Sequence, residues 1–374
     1  MKHRRQLLIT CGLGIFGAAH ADYTLNLTQG VTQVSRDIYD LHMYIMWVCV
    51  AIGVGVYGLI VYSIMHHRKS KGVVPATFHE NTKLEIVWTM IPFLILLAMA
   101  VPATRVMIEA YDTSASEMTV KVTGYQWKWR YTYLDEGIDF FSTLDAKSNE
   151  ARQLGSDINP ETVDHYLLNV DHPLVVPINK KIRFVFTAAD VIHSWWVPAL
   201  GWKKDTIPGF VTEAWTRIDT PGVYRGQCAE LCGRDHGFMP IVVEAKTEAD
   251  YQAWLTAQKA GSEGKLQAVQ ADAGRTFALG ELMAKGEAVY SANCAACHQA
   301  NGEGIPGNFP AIKGSAVALG PIDGHLNIVV KGKGAMMPGF GTNLDKVEIA
   351  AVVTYQRNGF GNSKGDLLQP SQVP

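Results

Sequence analysis

Two apolar runs, residues 41–65 and 86–107, limit what this chain can fold into. Each is long enough to cross the ~30 Å hydrocarbon core of a bilayer. Two buried core helices are the alternative. Charge is absent from all faces over most of both runs, however, and a helix apolar all round belongs in a large core or a membrane. Pro92 and Pro102 sit inside the second run, where membrane helices tolerate proline. Arg105 near its outer end can reach the interface. The connecting loop carries His66, His67, Arg68, Lys69, Lys71 and Lys83. Excess positive charge marks the cytoplasmic side. The expected arrangement is a hairpin that leaves residues 111–374 outside the cytoplasm.

The first residues read as a secretory signal: basic Lys2, Arg4 and Arg5, an apolar stretch over 7–18, then Ala19-His20-Ala21. That stretch is too short to span a bilayer, so residues 1–21 are expected to be cleaved after Ala21. Cys11 comes too early for a lipoprotein site and follows Thr10 rather than a small residue. The 374-residue length allows two or three domains. A net charge of −2 leaves no basic surplus for nucleic acid. Of the six cysteines, four form two spaced pairs, Cys228/Cys232 and Cys294/Cys297. Metal or haem would consume them, and no disulfide framework is left over.

From Thr119 the pattern alternates with period two, as in Val120, Val122 and later Ile182, Phe184, Phe186. With turn signals such as Thr220-Pro221-Gly222, it predicts an antiparallel β-sandwich or barrel. Residues 142–164 are polar and aperiodic, and read as a long loop or insertion. His193 lies about 35 residues before a loop that offers Cys228, Cys232, His236 and Met239. One ligand from a distant strand and the rest from one loop suit a copper β-sandwich. Thiolate, thioether and imidazole donors select copper over hard cations. Two cysteines, two histidines and a methionine suffice for two coppers bridged by both sulfurs. A Cys2His2 zinc site, which gives Met239 no role, and a Cys228–Cys232 disulfide are the alternatives. Glu230, between the thiols, can offer its backbone carbonyl to a metal.

Residues 247–273 are rich in Ala, Gln, Lys, Glu and Gly and read as a helix end followed by a linker. A helix over 279–290 leads into Cys294-Ala295-Ala296-Cys297-His298, the haem c attachment motif. A chance match, or a redox or zinc pair, is the alternative. In the haem reading Cys294 and Cys297 form the thioether bonds and His298 is an axial ligand. Met336 and Met337 follow about 40 residues on. A closing helix over 345–357 places Ile349, Val352, Val353 and Gln356 at helical spacing. His325 reads as a surface or turn residue. Glu85, at the edge of the second span, reads from position alone as a solvated helix end.

Several motifs together resemble subunit II of the haem-copper cytochrome c oxidases: the hairpin, Trp127 within Gly-Tyr-Gln-Trp-Lys-Trp, His193-Ser194-Trp195, Asp205-Thr206-Ile207-Pro208-Gly209, and Cys228 through Met239-Pro240. The match covers roughly residues 25–245. Residues 274–361 resemble class I cytochromes c, so the whole is similar to subunit II of a bacterial caa3-type oxidase. The implied fold is multidomain: a signal (1–21), a two-helix transmembrane hairpin (22–112), a cupredoxin-like antiparallel β-sandwich (113–246), a linker (247–273), an all-α class I cytochrome c domain (274–361) and a tail (362–374). By resemblance, His193, Cys228, Glu230 (carbonyl), Cys232, His236 and Met239 hold binuclear CuA. The Glu230 side chain helps bind magnesium shared with subunit I. Trp127 lies on the electron route to CuA, and Glu85 lies at the mouth of a proton channel. Met337, which directly precedes Pro338 as in the cytochromes, is the second axial ligand of one covalent haem c; Met336 packs in the core. A His/Met pair leaves no open iron site and suits electron transfer.

The family's partners are subunit I, which carries haem a, haem a3 and CuB, together with subunit III, a cytochrome c donor and the lipid bilayer. The family's place is the bacterial inner membrane, multi-pass, with both soluble domains on the periplasmic side. Two positions depart from its pattern. Lys128 stands where many members have Tyr, and Phe210 where many have Arg. Three other functions compete. A stand-alone soluble carrier is disfavoured by the spans, and a quinol oxidase subunit by the complete copper ligands. A CuA-bearing nitric oxide reductase subunit is the nearer alternative.

Overall fold

The computed structural model describes residues 26–374 except 154, 308, 335, 336, 342 and 343, and of 265–270, 273 and 296 the backbone alone. The expected signal (1–21), Cys11 and Met336 lie outside the described residues.

Two long helices come first. α1 (Gln33–His66) has 34 residues and α2 (Thr82–Tyr111) has 30. Both exceed the expected spans. α1 starts early because Thr32 and Ser35 form a reciprocal capping box, and α2 because the Asn81 side chain accepts from Leu84 N–H. Their apolar side chains are exposed along most of their length, the pattern of a membrane protein. The ends away from the connecting loop are tied to the β-rich domain. Thr32 Oγ1 donates to the Leu200 carbonyl (3.1 Å), Arg36 pairs with Asp219 (2.6 Å), and Trp215 Nε1 donates to the Glu109 carbonyl (2.9 Å).

Ten strands and one short helix form the next layer. The strands are β1 (Met118–Tyr125), β2 (Lys128–Tyr133), β3 (Ile138–Ser142), β4 (Leu174–Pro177), β5 (Ile182–Ala188), β6 (His193–Trp196), β7 (Lys203–Thr206), β8 (Thr212–Thr216), β9 (Gly222–Cys228) and β10 (Pro240–Lys246); α3 (Ala146–Ala151) lies between β3 and β4. They make two five-stranded sheets, ordered β3-β2-β1-β5-β8 and β4-β10-β9-β6-β7. Alternation decides which face is buried. In β5, Ile182, Phe184, Phe186 and Ala188 are buried while Arg183, Val185 and Thr187 are not. A one-residue slip would expose all four. Trp195 from the second sheet stacks on Phe184 from the first, with centroids 5.6 Å apart.

The expectation of a wholly antiparallel sandwich needs one correction. β1 pairs with β5, and β4 with β10, in parallel. Strand direction depends on the route of long connections, which alternation does not report. The segment 142–164 is also more ordered than a long loop. It contains α3, capped by Asp145, and a 3-10 turn at Pro160–Thr162.

Two compact units divide at Ala253/Trp254. The boundary falls inside α4 (Glu248–Ala273), a 26-residue helix where an irregular linker was expected. Ala, Gln, Lys and Glu are strong helix formers, and that outweighs Gly261 and Gly264. The second unit continues with α5 (Leu279–Asn293), α6 (Ala295–His298), α7 (Ile322–Lys331) and α8 (Lys346–Asn358). Its core contains Tyr290, Leu326, Val329, Ile349, Val352 and Val353. α5 and α8 cross closely at Gly286, where an added Cβ would lie 2.2 Å from the Ala351 carbonyl oxygen. The segment 362–374, expected as a tail, folds back instead. Leu368 and Val373 join the core, and Gln369 exchanges hydrogen bonds with the Phe277 backbone. His325 is a second correction. It lies in α7, 5% exposed, with Nε2 2.8 Å from Gln356 Oε1.

Candidate metal centre and haem-attachment segment

The ends of the second sheet bring distant donors together. His193 opens β6 and Cys228 closes β9, strands paired through Trp195–Cys228 and Trp196–Gln227. Past β9 the chain makes a tight loop, in which Gly233 (φ +115°) takes a backbone shape that favours glycine. A 3-10 turn, His236–Phe238, then presents His236 and Met239 before β10 leads away.

The donors gather around the two sulfurs. Cys228 Sγ and Cys232 Sγ stand 3.8 Å apart and are not bonded. A ring nitrogen of His193 and both sulfurs lie within 4.8 Å of one another. Cys232 Sγ is 3.5 Å from His236 Nδ1 and 3.6 Å from Met239 Sδ. The Glu230 carbonyl lies 3.4 Å from Cys228 Sγ, and the Glu230 side chain is exposed. His193, Cys228, Cys232 and Met239 are buried.

The His193 ring shows how this set is prepared. Its Nε2 is 2.9 Å from Asp190 Oδ1. Its Nδ1 is buried with no hydrogen-bond partner. A buried orphan of that kind is costly unless something binds it. Gly124 makes room for the ring, since a Cβ there would meet His193 Cδ2 at 2.8 Å. The donor set also argues against one tetrahedral ion. Met239 and His236 adjoin Cys232, the Glu230 carbonyl adjoins Cys228, and His193 reaches toward both thiols. Such a two-sided arrangement fits two soft ions sharing the sulfurs. The thiols titrate as a pair. Their mutual hydrogen bond pulls the Cys228 thiol far down, against its burial, and holds the Cys232 proton far above its ordinary range. Metal ligation takes both sulfurs as thiolates, so binding releases the protons they carry.

Trp127, half-buried, donates from Nε1 to the Cys232 carbonyl (3.1 Å), and Gln126 Nε2 donates to the same oxygen (2.9 Å). Glu85 lies far along the sequence, exposed in the first turn of α2. Sequence reasoning missed Asp190, Gln126 and Gly124. Asp190 had a local signal, three residues before His193; the other two lie beside Trp127 and Tyr125 and become neighbours of the centre only through sheet pairing.

In the second unit, Cys294 caps the end of α5 and α6 carries Cys297 and His298. Neither cysteine is in a disulfide. His298 Nδ1 is 2.8 Å from the Pro310 carbonyl, which fixes Nδ1 as the protonated nitrogen and leaves the Nε2 lone pair for a metal. The chemistry fits a covalently held haem. Met337 is half-buried in a turn after α7, where Lys333 N–H donates to its carbonyl (2.9 Å).

Comparison with known proteins agrees with this reading. Residues 118–246 match the family model "Cytochrome C oxidase subunit II, periplasmic domain", and residues 20–106 match its transmembrane domain. Residues 281–355 match "Cytochrome C oxidase, cbb3-type, subunit III". A probable cytochrome c oxidase subunit 2 of Rickettsia bellii is 37% identical over 244 residues, which cover 65% of this chain and 87% of that protein. Cytochrome c oxidase subunit 2 of Cereibacter sphaeroides is 37% identical over 61% of this chain and 78% of its own length. The crystal structure of the periplasmic domain of subunit II of cytochrome oxidase (CoxB) of Bradyrhizobium japonicum has 37% identity and a TM-score of 0.34, and covers 40% of this chain and 98% of that one. The matched domains imply CuA copper and haem as cofactors. The chain belongs to the cytochrome c oxidase subunit II family, components of an oxidoreductase complex, and carries a cytochrome c domain fused on its C-terminal side.

Proposed function

We propose that this chain is the electron-accepting subunit of a proton-pumping terminal oxidase of the caa3 type. It takes electrons from a cytochrome c through its own haem c and passes them by way of CuA to haem a of a separate subunit I, where oxygen becomes water. It sits in the bacterial inner membrane with both soluble domains on the periplasmic side, as the basic loop between the spans argues. The observation that carries the reading is the buried donor cluster on the same chain as a C-x-x-C-H segment. Copper and haem, when bound, supply one-electron chemistry that side chains lack.

The residues supply the rest. His193, Cys228, the Glu230 carbonyl, Cys232, His236 and Met239 would hold the two coppers. Cys294 and Cys297 would attach the haem, with His298 and Met337 as axial ligands. Asp190 orients His193, and burial of the sulfurs excludes water. The Trp127 indole, bonded to the Cys232 carbonyl, would offer electrons a short covalent and hydrogen-bonded route to a cysteine of the copper-holding set. The exposed Glu230 carboxylate is free to take part in a magnesium site shared with subunit I, and Glu85 to receive protons at the inner end of α2. The hairpin (22–112) and the CuA domain (113–246) keep their sequence-based limits in this reading, helix α4 takes the place of the linker, and residues 362–374 join the cytochrome domain.

The purified complex should oxidise reduced cytochrome c with uptake of oxygen. Nitric oxide uptake in its place would assign the chain to a CuA-bearing nitric oxide reductase. Met337→Leu should convert the low-spin His/Met haem spectrum, and Met336→Leu should leave it unchanged.

A further inference from the structure

The detour between β3 and β4 serves neither sheet directly, yet one of its side chains reaches the ligand loop. Arg152 follows α3, and its guanidinium makes three contacts. Nη2 donates to Asp235 Oδ2 (3.2 Å), the carbon at its centre lies 4.3 Å from the centroid of the Phe238 ring, and Nε donates to Asn149 Oδ1 (2.8 Å). The Arg152 side chain is 14% exposed and that of Asp235 5%. Asp235 immediately precedes His236, and Phe238 immediately precedes Met239. A single flat cation therefore touches the neighbours of both donors offered by the 3-10 turn. The turn is closed on itself by Phe238 N–H donating to the Asp235 carbonyl (2.9 Å). Arg234, the other cation near Asp235, stands farther off at 3.8 Å.

The base of this clamp is also fixed. Asp145 caps α3 through Ser148 N–H (3.0 Å), and Ser148 Oγ accepts from Leu167 N–H (3.1 Å). Thr143 binds Asp171 through backbone and hydroxyl (2.7 and 2.8 Å). Arg225 on β9 reaches Asn169 Oδ1 at 3.1 Å. The detour is thus stitched to the sheet that carries the centre, and Arg152 projects from an anchored support.

We propose that Arg152 is a positioning residue of the metal centre: with Asp235 and Phe238 it fixes residues 235–239 so that His236 Nδ1 and Met239 Sδ meet Cys232 Sγ. This rests on the copper reading above. Stacking and fork geometry both require a guanidinium, so an ammonium at this position is a poor substitute. Partners behind metal ligands commonly matter about 10- to 100-fold in metal affinity or activity.

The test uses the full-length chain in its membrane complex with copper and haem bound, as wild type, Arg152→Ala, Arg152→Lys and Phe238→Leu. Copper release to a cuprous chelator is timed, and the copper hyperfine pattern of the mixed-valence signal is recorded. The haem absorption band serves as an internal control. Arg152→Ala should lose copper about 10- to 100-fold faster, with an altered hyperfine pattern and an unchanged haem band. Phe238→Leu, which keeps the ion pair, should fall between it and wild type, and Arg152→Lys should recover little. Wild-type release and wild-type hyperfine in the variants overturn the proposal. If Arg152→Ala does not accumulate, Phe238→Leu and Arg152→Lys decide by the same two readings. A wild-type complex without a mixed-valence copper signal overturns the ligand reading itself, and is seen before any variant is compared.

Discussion

His193 acts through its neighbours as much as through its own nitrogen. Asp190 engages Nε2, and Gly124 leaves the ring its space, so a buried Nδ1 without a hydrogen-bond partner is left for a ligand. Asp190→Asn keeps the size but weakens the charge-assisted bond and can invert the tautomer. Copper affinity should fall about 10- to 100-fold, measured by chelator competition, with the haem spectrum unaffected. An unchanged affinity would mean that the ring is placed by packing alone. The donors were legible in the sequence because five of them share one short loop, where spacing alone brings them together. Gln126 and Arg152 were not, because each meets the loop only after strands or helices distant in sequence have paired; Asp190, three residues before His193, carried a local signal that was passed over. Residue type gives no sign of that: Arg152 in a polar stretch looks like any solvated cation.

Among the elements, periodicity found the amphipathic pieces and missed the ones decided by context. The alternation in β5 and the helical spacing in α8 appear where expected. The parallel pairings of β1 with β5 and of β4 with β10 do not follow from alternation, and α4 is helical where composition suggested a linker. His325 failed for a physical reason. A polar residue near Asp323 and Gly324 resembles a turn, but in α7 its ring points to α8 and meets Gln356. Burial pushes its pKa down from 6.5 to about 4, with the Gln356 hydrogen bond opposing. Unfolded, the imidazole takes a proton below about 6.5; folded, it stays neutral to about 4. Its contribution is therefore complete above pH 6.5 and is lost as pH falls through that window, a change on the order of 3 kcal/mol. Denaturant melts of the full chain, followed at the haem band, should show this slope in the wild type and lose it in His325→Gln. Equal slopes in both would contradict it.

At the scale of the whole molecule, each part has a distinct physical task. The apolar hairpin fixes the chain in a membrane, and the ends away from its loop are bonded to the sandwich through Thr32, Arg36 and the Glu109 carbonyl. The sandwich supplies a rigid, water-poor frame for soft donors, and the helical unit supplies a second attachment site for a redox group. Both tasks require sulfur pairs that hold cofactors instead of bonding to each other. The most direct measurement is a metal and haem count with electron paramagnetic resonance on the full-length chain, wild type beside Cys228→Ser. Two copper ions and one covalent haem are expected per wild-type chain, with a mixed-valence copper signal that Cys228→Ser abolishes while the haem spectrum stays intact. A copper-free wild type with Cys228 joined to Cys232, or a copper signal that survives the substitution, would contradict it.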